Sequence, residues 1–189
     1  GGVFLLHAVQ VAMFVVVTIA LVEHAGLPVQ HHGWVYVAVV LASLAVMLPA
    51  MFWGERRQRV RLVFLAAIGL LAVVQVALAW GYTDPVALIA LLACFFVGFN
   101  LLEATLPSLV SRVAPAAAKG LSLGVFNTCQ SLGLFAGGLI GGQVAAVWGY
   151  AGVFKVCGVL AMVWLVLAWP MRPPARQRAA VEAADATSA

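Results

Sequence analysis

Charge is what this sequence has least of. Ten basic and six acidic residues make 8% of its 189 positions charged, against about 25% in an ordinary soluble domain. So few charges cannot cover a water-facing surface, and a soluble globular fold is excluded. Alternation of apolar and polar residues over ten-residue segments is also missing, which removes a membrane β-barrel. Cysteine is sparse: Cys94, Cys129 and Cys157 form an odd set without C-x-x-C spacing. They support neither a disulfide framework nor a metal site. No G-x-S-x-G elbow and no H-E-x-x-H motif occurs, so neither an enzyme nor a cofactor is expected. The chain begins without an initiator methionine, and its first apolar run has no basic flank. A secretory signal would carry a charged leader and a cleavage site. The expectation is therefore a fragment whose N-terminal part is missing.

What is present is apolar. Hydrophobic residues make up 65% of the chain and mean hydropathy is +1.11. A membrane helix needs about 20 apolar residues to cross about 30 Å of hydrocarbon. Six such runs occur, at 3–22, 34–53, 62–81, 85–110, 120–147 and 152–171. The breaks carry turn chemistry. Gly26, Pro28 and Gly33 punctuate the first, Asp84 and Pro85 form an N-cap and first helical position, and Pro115 separates the fourth and fifth runs. The sequence predicts an all-α integral membrane protein: a six-helix bundle over 1–171 and a disordered cytoplasmic tail over 172–189, rich in Ala, Pro and charge.

The few charges are unevenly placed. Arg56, Arg57, Arg59, Arg61, Arg112, Lys119, Arg172, Arg176 and Arg178 fall on one side of a six-span layout, and only Lys155 on the other. The positive-inside rule puts the arginine side, and with it both chain ends, in the cytoplasm. The net charge of +4 thus reflects topology. No soluble face gathers a basic patch, so a nucleic-acid partner is not expected.

Polar side chains inside spans are costly and usually face a bundle interior or a water-filled path. His7 and Gln10 share a face of the first span, Asn100 and Glu103 a face of the fourth, and Asn127, Gln130 and Ser131 cluster on the fifth. These spans are the candidates for lining a transport pathway or gate. The third, with Gln75 nearly alone, and the sixth look like scaffold. His31 and His32 fall in an outer loop and are expected to be solvated, and Lys155 to snorkel outward. Gly120, Gly124, Gly133, Gly137 and Gly141 contribute four-residue steps that let membrane helices approach closely. Tight packing and a sliding contact during gating are both open for them.

Two stretches carry a family resemblance. "GFNLLEATLPSLVSRVAP" and "KGLSLGVFNTCQSLGLFAGGLIGG" resemble the C-terminal half of a major facilitator superfamily transporter and, within it, the YajR-like drug/proton antiporters. Gly98, Phe99, Asn100, Glu103, Ala104, Pro107, Ser108 and Leu109 match the first run, and Lys119, Gly120, Gly124 and Val125 the second. The resemblance implies a proton-coupled exporter of small amphipathic compounds, working by alternating access with a missing six-helix half, in a bacterial inner membrane. The family's loop motif falls at "MFWGERRQR", where Glu55 and Arg56 fit but Met51 and Gln58 replace glycines. A six-span intramembrane enzyme and a channel or assembly subunit are the alternatives.

Glu103 has two readings. Counting about 1.5 Å per residue from Pro85 places it about 27 Å along its helix, toward the arginine side. Depth favours a cytoplasmic latch, paired with Arg112, Lys119 or a residue of the missing half, over a central proton site. Asn100, nearer the midplane, is the better candidate to face substrate.

Overall fold

The computed structural model describes residues 1–57 and 59–171, so the expectation for the tail at 172–189 lies outside the described residues. The chain forms α1 (Gly2–Glu23), α2 (Val29–Arg56), α3 (Val60–Gly81), α4 (Pro85–Val113) and α5 (Lys119–Ala168), with a short 3₁₀ turn at Ala116–Ala118. All five helices are long and apolar enough to cross a membrane. No strand occurs among the described residues.

The expected six helices appear as five. The loop predicted between the last two runs shrinks to one residue, Gly149, inside a helix 50 residues long. Its φ of 68° and ψ of −176° are not helical, and positive φ is open to glycine because no Cβ collides with the backbone. The chain reverses there. Against α1, a Cβ at Gly133, Gly137 or Gly141 would sit 3.0, 2.8 or 2.7 Å from the Cα of Phe4, Ala8 or Ala12. Partner numbers rise together, so the arm at 119–148 runs parallel to α1. On the arm at 150–168, Cys157 Sγ donates to the Val9 carbonyl at 3.8 Å, and Trp164 packs on Gly2. Those numbers run in opposite senses. The two arms of α5 are antiparallel.

Other boundaries shift for local reasons. Pro28 is extended (φ −60°, ψ 148°) and α2 starts immediately after it, which draws His31 and His32 into the helix. His32 is buried, with Nε2 2.9 Å from the Leu27 carbonyl, and not solvated as expected. Asp84 caps α4 by accepting from the Ala87 N–H at 2.7 Å, with Pro85 in the first turn. α4 then continues through Pro107 to Val113.

Contacts between helix ends fix two poles. Arg112 on α4 lies 3.7 Å from Glu55 on α2, and Arg61 at the start of α3 donates to the Trp169 carbonyl after α5 at 2.5 Å. These ends form the arginine-rich pole. At the other, the Tyr82 ring meets His24, Tyr150 and Phe154 at 5.6, 6.3 and 5.8 Å between centroids. Between the poles α5 packs on α1 and α3, α3 on α4, and α4 on α2. Gln75, expected to be structural, is fully buried on α3, and its amide finds no hydrogen-bond partner among the described residues.

Candidate functional site

Three helices bring polar groups together near the arginine-rich half. His7 of α1 is 3% exposed. Its Nδ1 lies 2.9 Å from the Val3 carbonyl, one turn earlier. A carbonyl can only accept, so Nδ1 carries a proton and donates. The ring's Nε2 then faces Gln130 Nε2 of α5 at 2.9 Å and Glu103 Oε2 of α4 at 3.3 Å. Phe99 closes the pocket edge-on, 5.7 Å from the imidazole centroid.

The arrangement holds one proton in a defined place. With His7 neutral, Nε2 is bare and accepts from the Gln130 amide. With His7 charged, Nε2–H points to the Glu103 carboxylate, and Gln130 must turn its carbonyl inward to stay bonded. Glu103 Oε2 is sealed from solvent and accepts no hydrogen bond from the described residues. A carboxylate in that position without a proton nearby is costly. Its side chain is 37% exposed overall, so the group is reachable from the open side of the bundle.

Pro107 adds a local softness. Lacking an N–H, it cannot donate to the carbonyl four residues back, which is that of Glu103. The turn carrying the carboxylate therefore misses one helical bond.

Asn100 sits one turn from Glu103, at the middle of α4. Its Nδ2 donates to Ser43 Oγ of α2 at 2.8 Å, and Ser43 donates on to the Val40 carbonyl at 2.7 Å. Next to this chain lies an aromatic group: Phe14 of α1 meets Tyr36, Phe95 and Phe96 at 5.5, 6.5 and 5.9 Å.

The other candidates stand apart. Gln10 is half-buried and Asn127 exposed, and neither has a side-chain partner among the described residues. Gly133, Gly137 and Gly141 form the α1 contact, whereas a Cβ at Gly120 or Gly124 would meet open space. Arg112, a possible latch partner for Glu103, is paired with Glu55 instead. Ser43 escaped the sequence reading, since a serine inside an apolar run carries no signal of its own. Among the described residues, no cluster of His, Cys, Asp or Glu could hold a metal.

The family profile of the Major Facilitator Superfamily matches residues 1–188. The chain belongs to this superfamily. It is 36% identical to the inner membrane transport protein YajR of Escherichia coli strain K12 over 173 residues, 92% of this chain and 38% of YajR. It is 31% identical to a probable sugar efflux transporter of Helicobacter pylori strain P12 over 149 residues, 78% of this chain and 36% of that protein. The multidrug resistance protein MdtH of Aeromonas hydrophila is 31% identical over 109 residues, 58% of this chain and 26% of MdtH. The chain thus spans well under half the length of these curated relatives. Membership, together with five helices of crossing length, makes it an integral membrane protein.

Proposed function

We infer that this chain is a six-crossing bundle, the C-terminal half of a major facilitator exporter that exchanges small amphipathic compounds for protons. Reversal of α5 at Gly149 supplies the sixth crossing in this reading. The observation that carries the function is the convergence of His7, Gln130 and Glu103 on one nitrogen. Proton arrival turns the Glu103–His7 contact into an ion pair and forces the Gln130 amide to rotate, so α1, α4 and α5 all register the event. Asn100, Ser43 and the aromatic group around Phe14 lie toward the middle of the helices, where transporter sites cluster, and form the substrate wall. A second bundle, encoded outside this sequence, supplies the opposite wall, and the arginine-rich pole faces the cytoplasm of a bacterial inner membrane. The names of the relatives support efflux as the direction.

The test uses the complete gene product in proteoliposomes. Glu103→Gln keeps size and hydrogen-bonding capacity but removes charge and titration. Proton-driven efflux should fall to background while substrate-for-substrate exchange persists. If coupling survives while only the inward–outward balance moves, Glu103 is a latch and the proton reading fails.

A further inference from the structure

Around the reversal of α5, a groove of about 430 Å³ opens beside Trp148, Ala151, Gly152, Lys155 and Val159. Its two ends differ in chemistry. Lys155 is the one cation in the sequence outside the arginine-rich loops and the tail. It is exposed and has no carboxylate partner among the described residues. It lies six residues past Gly149, about 9 Å along the second arm, so its ammonium reaches back toward the level of Trp148 by snorkelling.

Beneath it runs an apolar stripe. Val159, Val163 and Val166 follow Lys155 at helical spacing on one face, and are 62%, 48% and 66% exposed. From Lys155 to Val166 the stripe is about 16 Å long, close to half of the roughly 30 Å hydrocarbon core. A cation at one end and an apolar track one leaflet deep match an amphiphile with an anionic head. We propose that this groove is a binding site for an anionic phospholipid of the leaflet at the reversal pole. Its phosphate pairs with Lys155, and an acyl chain lies along the valine stripe. Charge complementarity favours a lipid over an apolar protein segment, because an anionic headgroup lies at the interfacial level that the snorkelling ammonium reaches and attracts it there.

Arginines at the opposite pole also attract anionic lipid, so the readout must be local. Trp148 provides it. In the complete gene product, the Trp148-dependent part of the fluorescence is the difference between the unmodified protein and Trp148→Phe. Phosphatidylglycerol with brominated chains should quench that part more than brominated phosphatidylcholine does. Lys155→Gln should abolish the difference, and Lys155→Arg should retain it. Inorganic phosphate should not displace the lipid. Equal quenching by the two lipids, a preference that survives Lys155→Gln or is lost in Lys155→Arg, or displacement by free phosphate would each overturn the proposal. So would a Trp148 that neither lipid reaches, since the groove would then be covered by protein.

Discussion

Single residues decide most where backbone meets backbone. At Gly137 a Cβ would lie 2.8 Å from the Ala8 Cα, and no rotamer relieves a clash with main chain. Gly137→Leu should lower stability by about 1–3 kcal/mol through overpacking, whereas Gly124→Ala, into open space, should be neutral or gain up to about 1 kcal/mol of helix propensity. Thermal unfolding midpoints of the two variants in detergent check the contrast, and equal losses would refute it. A subtler effect belongs to Asn100 and Ser43. A double-mutant cycle with alanine at both should give a coupling of about 0.6 kcal/mol, the usual size for a hydrogen bond between membrane helices. The sequence displayed His7, Asn100, Glu103 and Gln130 as candidates because polar groups stand out in apolar runs. It could not display their pairing. Helical period tells which face a residue occupies, but not which helix lies opposite, so Ser43 stayed hidden and Arg112 looked available to Glu103.

Elements were legible from length and hydropathy, and α1, α3 and α4 lie within a few residues of the runs read from the sequence. The start of α2 and the reversal of α5 were not legible. Both depend on a single backbone conformation, at Pro28 and Gly149, that a hydropathy profile averages away. Gly149 now carries a specific expectation. Its φ of 68° and ψ of −176° lie in a region that essentially only glycine occupies and should cost an alanine about 1–3 kcal/mol, whereas Gly142→Ala, exposed and with open space around its Cβ, should be neutral or gain up to about 1 kcal/mol of helix propensity. Comparing the unfolding midpoints of Gly149→Ala and Gly142→Ala measures the difference. A Gly149→Ala variant as stable as Gly142→Ala would mean that the turn tolerates another conformation.

At the scale of the whole molecule, charge asymmetry and the reversal make one joint forecast about sidedness. Reporters active only outside the cytoplasm, fused after Gln30, Thr83 or Gly149, should be active, and those fused after Arg57 or Ala117 inactive. Activity at Arg57 would invert the orientation, and inactivity at Gly149 would leave only five crossings. The close seam between α1 and the first arm of α5 has a mechanical consequence. With no side chains between the backbones at Gly133, Gly137 and Gly141, these two segments move as one block, carrying His7 and Gln130 with them. α1 touches α4 only lightly by comparison, and Glu103 rides on α4. The acceptor and its carboxylate therefore stand on two helices that meet only lightly and are joined indirectly through α3, with Phe14 and Phe96, whose centroids are 5.9 Å apart, bridging them directly. If the complete gene product transports as proposed, the Phe14→Cys/Phe96→Cys variant should lose, on cross-linking, whatever transport it retains when reduced, without unfolding. Full activity in the cross-linked state would mean that no slip occurs there.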